Sequence, residues 1–297
     1  MSPRLAVLAM LGAVTIYGAN FAVTRSATLA GLSAQDLAAL RFGTAGLILL
    51  PFFVGRGVRD CAGIGWFRGA MLCLTSGFPL ALLMNAGIAL APASHGAAIT
   101  PGTVTVVGVL LGAWLNRARP SGQTLVGIGL VLAGLACIGV AGSRHVSATT
   151  SLGDGLFVVS GLIWGIYPFL LQRWSVPPTT STAVVAVLSL AYLPLYAVFA
   201  QSHLGALPLG FVAFHAFNQG VLNIIVGLWL WGSAVAVLGA PLAQRFPPLI
   251  PVVGTLVAIP VVGEWPAPLQ AAGVAVIVAG LLITVLGGRR ARPETTS

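Results

Sequence analysis

Apolar residues in this chain fall in long runs with almost no charge, rather than in the alternation of a strand or the single stripe of a soluble helix. A helix needs about 20 predominantly apolar residues to cross a bilayer. The first half predicts spans over 5–24, 35–55, 66–90, 94–116 and 121–142, and the second over 153–171, 180–200, 208–235, 238–263 and 267–287. Turn chemistry separates them, as at Asn116-Arg117-Ala118-Arg119-Pro120-Ser121 and Ser175-Val176-Pro177-Pro178. The pattern is also written twice. At an offset of 147 residues, Tyr17-Gly18 meets Trp164-Gly165, Pro101 meets Pro248 and Gln123 meets Gln270. A repeat of half a chain inside apolar segments points to a duplicated membrane transporter with its site between the halves.

Composition agrees. With 58% hydrophobic residues, 6% charged ones and a mean hydropathy of +1.01, there are too few charges to cover a soluble surface, and lipid requires none. The expected fold class is an all-α integral membrane protein of ten transmembrane helices. Arg4 before an apolar run resembles a signal peptide, but Ile16 to Arg25 carries Tyr, Asn and Arg where a small-residue cleavage site belongs, so the first span is kept in the mature chain.

Charge sets the orientation. All 14 basic residues are arginines, and ten of them (Arg4, Arg56, Arg59, Arg68, Arg117, Arg119, Arg173, Arg289, Arg290 and Arg292) fall on one side of the ten-span arrangement, against Arg25 and Arg144 on the other. The positive-inside rule puts both termini in the cytoplasm. Five spans per half is an odd number, so the second half enters the membrane from the opposite side. The expected organisation is one five-helix repeat over 1–146, an inverted one over 147–290, and a cytoplasmic tail over 291–297. The formal charge of +9 is read as topology rather than nucleic-acid binding, because the arginines flank spans instead of clustering on an aqueous face.

Other chemistry is thin. Cys61, Cys73 and Cys137 lack the spacing of a zinc site or disulfide framework and read as helix-packing residues. Gly127-Ile128-Gly129 lies inside an apolar span with no strand before it, so it is no dinucleotide fingerprint. Gly108 with Gly112, and Gly161 with Gly165, have the spacing that lets helices approach closely. Gly127 with Gly134, and Gly273 with Gly280, present small faces to a neighbouring span or to a second protomer. His95 reads as a local cap or kink partner, and His145 and His203 as loop residues. No cofactor and no metal are expected, and an enzyme is not, since no convergent acid, base or ligand set is present.

Polar residues inside spans are costly in hydrocarbon and so mark function. In span one, Tyr17, Asn20, Phe21 and Thr24 share a helix face; in span three, Phe78 and Asn85 are nearly eclipsed, with Pro79 free to bend the helix. Span six offers Trp164 and Tyr167 before Pro168. Span eight carries His215, Asn218, Gln219 and Leu222 on one face, with Asn223 close to it. The competing reading of each amide is glue between helices; Trp66, Trp174 and Trp265 fit the lipid interface. Pro247, Pro248 and Pro251 in span nine, with Pro101 as their counterpart in span four, are the expected hinge. Arg41 and Arg245 lie in or beside spans, where each could meet a carboxylate or phosphate, or be neutralised by carbonyls.

Tyr17-Gly18-Ala19-Asn20-Phe21, Leu40-Arg41-Phe42, Val262-Gly263-Glu264, Gln270 and the run Gly273 to Gly280 resemble the EamA-type members of the drug/metabolite transporter superfamily, and YddG-type amino-acid exporters in particular. The resemblance covers nearly the whole chain. It implies two inverted five-helix repeats, a central cavity lined by spans one, three, four, six, eight and nine, alternating access, and export of aromatic or other neutral amino acids and related metabolites across a bacterial inner membrane. The chain departs from the pattern at Asn116, where an acid usually closes span four, and at Tyr17, where tryptophan is common.

The acids Asp36, Asp60, Asp154, Glu264 and Glu294 all fall at span ends, in loops or in the tail, so no buried carboxylate is expected to trade a proton for a lipophilic cation. The expected site is then a cavity of Tyr17, Asn20, Phe78, Asn85, Trp164, Tyr167, His215, Asn218 and Asn223 that binds a small zwitterion. Its partners are a small-molecule substrate and the bilayer, with no nucleic acid; the oligomeric state stays open, a monomer included. His215 is the one group in that set whose ordinary pKa lies near neutral pH, so proton coupling and uniport are both open. A carrier of phosphorylated or nucleotide-linked metabolites using Arg41 and Arg245 is the alternative, ahead of an integral membrane transferase.

Overall fold

The structure, a computed structural model, describes residues 1–115, 120–145, 148–238, 246 and 249–287. Asn116, Arg245, Pro247 and Pro248 lie outside the described residues. Those described form ten helical rods, with no strand among them. They are α1 (Pro3–Leu29), α2 (Ala34–Gly55), α3 (Trp66–Leu90), α4 (Ala93–Leu115), α5 (Gly122–His145), α6 (Ala148–Trp174), α7 (Pro178–Phe199), α8 (209–238), α9 (Leu249–Val262) and α10 (Pro268–Gly287). Six, α1, α2, α3, α6, α7 and α8, contain stretches long and apolar enough to cross a membrane; Gly122–Cys137, Leu249–Val262 and Pro268–Ile283 are shorter apolar helices.

Local chemistry explains the ends. Ser33 and Asp36 form a capping box at the start of α2, Ser33 Oγ accepting from the Asp36 amide at 3.1 Å and Asp36 Oδ2 accepting from the Ser33 amide at 2.9 Å. Gly263, at φ +69°, terminates α9 in the left-handed conformation that suits glycine, and hands the chain to Glu264. Span three does not bend at Pro79. It breaks at Gly77 into Trp66–Ser76 and Phe78–Leu90, where Ser189 Oγ of α7 accepts from the Phe78 amide at 3.1 Å and Pro79 sits in the new first turn, which needs no N–H from it.

The packing is related by exchange of the two halves. α5 lies along α10, and α2 along α7. α1 packs on α9 as α6 packs on α4, and α1 on α8 as α6 on α3. The matched glycines show why the offset exists: a Cβ on Gly18 would stand 2.7 Å from Val253 on α9, and one on Gly165 2.7 Å from Val107 on α4. Gly161 joins Gly165 in that contact, 2.5 Å from Thr103. Gly108 does not, since a Cβ there meets nothing within 4 Å. The glycines of α5 and α10 meet each other rather than a third helix: Gly134 faces the Gly273 carbonyl and Gly280 the Gly127 carbonyl, both at 2.6 Å from an added Cβ. The three cysteines are free, and Cys61 belongs to the loop after α2 rather than to a helix; burial and neighbouring Asp60 push its thiol up.

Candidate functional site

α8 loses its α-helical winding where its polar residues begin. Phe217–Val226 is a π-helix, with backbone bonds reaching one residue farther, a feature often found at functional sites. The wider turn rotates Asn223 inward, where it is buried with Asn218 and Gln219, while Leu222 drops to half-buried. Asn223 Nδ2 donates to the Asn218 carbonyl five residues back at 2.8 Å, closing the wide turn with a side chain.

These amides meet the polar face of α1. Asn20 Oδ1 accepts from Asn223 Nδ2 at 2.9 Å, from Asn218 Nδ2 at 3.2 Å and from Thr24 Oγ1 at 3.3 Å. Thr24 Oγ1 in turn accepts from Gln219 Nε2 at 2.6 Å, which turns Gln219 Oε1 toward α2. There it accepts from Arg41 Nε at 2.8 Å and from Arg41 Nη2. The guanidinium has no acceptor, so the amide fits only this way round. All six residues are buried, and the links that join α1, α2 and α8 run between side chains.

The aromatic candidates gather elsewhere. Phe78, Trp164 and Tyr167 pack in one cluster with Phe42 and Leu72, where Phe78 stacks on Tyr192 at 5.3 Å and Tyr167 Oη donates to Ser181 Oγ at 3.0 Å. Tyr17 links the two groups: it packs on Trp231 of α8 at 6.4 Å and stands within electrostatic reach of both Arg41 and Tyr167. It is half-buried, packed against the core cluster that holds Phe21 and Ile250.

Two candidates stand apart. His215 is fully buried between Phe211 and Phe214, at 4.5 and 5.2 Å, and neither ring nitrogen finds a partner among the described residues. Asn85 makes one long bond, Nδ2 to the Ala34 carbonyl at 3.5 Å. Of the prolines, Pro101 lies within a continuous α4, and Pro251 falls in the first turn of α9, where its missing N–H costs nothing.

The expectation of no buried carboxylate is corrected by Asp36 and Asp154, both buried because their helix ends are covered by neighbours. Asp36 accepts from Ser33, Tyr196 and His203. Asp154 Oδ1 pairs with His95 Nδ1 at 2.8 Å, so His95 joins α4 to α6 rather than acting as a local cap. His203, read from sequence as an uninformative loop residue, has its ring 3.2 Å from Asp36. No metal-binding group occurs among the described residues.

At the same end of the bundle Arg25 clasps four segments. Its Nε meets Glu264 Oε1 at 2.7 Å, its Nη1 donates to the Ile88 and Ala89 carbonyls at 2.8 Å each, and Glu264 Oε2 accepts from the Ala93 amide at 2.8 Å. Glu264→Ala is expected to lower stability by about 2 kcal/mol, since it leaves a part-buried cation and an amide unpaired. Thermal unfolding in detergent checks this; an unchanged midpoint removes the clasp.

In the sequence Gln219 and Thr24 stand only as members of polar stripes, and Arg41 as the cation of the phosphate-carrier alternative. Their spacing from Asn20 and His215 was visible; their mutual bonding across three helices was not.

The EamA-like transporter family profile matches residues 4–140 and 151–286. A probable terminal-alkyne amino-acid exporter from Streptantibioticus cattleyicolor is 30% identical over 216 residues, 70% of either chain. One solved crystal structure aligns with a TM-score of 0.65 at 19% identity, over 98% of this chain and 100% of the other, a likeness of fold.

Proposed function

This chain belongs to the EamA-like transporter family, and from that premise we propose that it exports neutral amino acids, aromatic ones included, and related small metabolites by alternating access. It is a multi-pass membrane transporter for a small-molecule substrate, not an enzyme. In our reading all ten rods cross a bacterial inner membrane as two inverted repeats, divided near residue 147, with both termini cytoplasmic. The half-exchange in helix pairing supports the inversion, and the arginine distribution supports the orientation.

The observation that carries the substrate reading is the buried, uncharged amide network beside Tyr17. Asn218 and Asn223 donate through their amide nitrogens to Asn20 and the Asn218 carbonyl, and their own side-chain oxygens receive no donor among the described residues. Such oxygens suit an ammonium group, while Tyr17, Phe78, Trp164 and Tyr167 offer apolar surface to a side chain. His215 and Asn85 belong to the proposed set as residues that reach the substrate as the halves rock. Opening at the Arg25 end requires the Glu264 clasp to part, and we assign bending to Pro101, Pro247, Pro248 and Pro251.

Reconstituted proteoliposomes test this. Saturable uptake of a labelled neutral amino acid, displaced by other neutral amino acids, is expected. Trp164→Ala and Asn218→Ala are each expected to cut uptake roughly tenfold or more with folding intact; parental rates in both place the site elsewhere. Displacement only by phosphorylated compounds overturns the reading in favour of an anion carrier.

A further inference from the structure

We propose that Arg41 is the anchor for the substrate's carboxylate, an assignment that rests on the amino-acid reading above. Arg41 is the eighth residue of α2, a full two turns inside the helix, and is 8% exposed. An unpaired charge at that depth is costly, and proteins meet the cost with a counter-charge or a ligand.

No counter-charge is present among the described residues. Asp36 is taken by Ser33, Tyr196 and His203, Asp154 by His95, and Glu264 by Arg25. Asp60 lies in the exposed turn after α2. What Arg41 has instead is one neutral oxygen, Gln219 Oε1, which receives both N–H groups of one guanidinium edge. The other edge, Nη1 with the second hydrogen of Nη2, bonds no acceptor among the described residues, and Nη1 is not sealed from open space as the ring nitrogens of His215 are. A planar fork with one free edge matches a carboxylate in two parallel bonds, each shorter and stronger than a neutral one.

The bonded edge is also fixed in place. Gln219 is held from behind by Thr24, and Thr24 by Asn20, so Arg41 cannot swing without breaking that chain. The substrate class narrows to compounds with a free carboxylate next to the amino group: amino acids, and not their amides, esters or the corresponding amines.

The test is competition in proteoliposomes holding the full chain, with labelled phenylalanine against unlabelled phenylalanine, phenylalaninamide and phenylalanine methyl ester. In the parent chain the amide and ester are expected to compete about 100-fold more weakly than the free acid. Arg41→Gln is expected to lose that preference to within a few-fold along with most uptake, and Arg41→Lys to keep part of both. An amide that competes as well as the acid in the parent chain overturns the assignment whatever the variants do, and so does an Arg41→Gln protein that still selects the acid. If the parent chain takes up no amino acid at all, the transport reading itself fails and the assignment falls with it. Uptake that is indifferent to acid or amide removes Arg41 alone.

Discussion

Gly280→Val is expected to destabilise the protein by about 3 kcal/mol or more. A Cβ at this position would stand 2.6 Å from the Gly127 carbonyl and 2.8 Å from the Val131 amide, both backbone atoms of α5. A flexible side chain could turn away; a helix backbone has to move as a whole. In lipid the helices are held by close packing rather than by exclusion of water, so separating them forfeits the contacts that joined them. The matched position, Gly134 on α5, meets the Gly273 carbonyl and Ile277 at 2.6 Å, and Gly134→Val is expected to behave alike. Gly108→Val supplies the control, because that face is open, and should fall within about 0.5 kcal/mol of the parent. Thermal melting followed by size-exclusion chromatography reads all three. Coincident melting of the parent and Gly280→Val removes the α5–α10 contact as described.

Asn20→Leu is expected to destabilise by about 2 to 4 kcal/mol, and to do so without creating a cavity. Leucine fills a similar volume, but it leaves Asn218 Nδ2, Asn223 Nδ2 and Thr24 Oγ1 without the oxygen they share. Asn223 retains the Asn218 carbonyl, which keeps the loss below the sum of three orphans. Asn85→Leu is the comparison: it removes one bond of 3.5 Å and is expected to cost well under 1 kcal/mol. The quantity to measure is the unfolding midpoint in a single detergent. Equal shifts for the two substitutions would mean that Asn20 is no hub.

Much of this was legible in the sequence. Tyr17-Gly18 and Trp164-Gly165 stand 147 residues apart because each glycine sits at the same crossing, α1 on α9 and α6 on α4. The polar positions of α1 and α8 were equally plain. Three readings failed for one reason. Leu222 was placed inward because an α-helix turns 100° per residue, whereas Phe217–Val226 is wound wider and admits Asn223 instead. Gly108 carried the spacing for close packing but faces nothing. Asp154 stands at a span end with no partner in its own helix, yet His95 of another helix stands 2.8 Å away.

The amino-acid sequence by itself determined the solvent of this protein, the places where its helices run and the doubling of its plan. Those follow from composition and period, since hydrocarbon admits only apolar runs with their backbone bonds made internally. Which polar atoms satisfy one another was decided by the tertiary structure alone. A bond between helices depends on their rotation and register to within about one residue, and no local pattern sets either. So the sequence shows Arg41, Asn20 and Gln219 as three isolated costs, and the fold makes them one network.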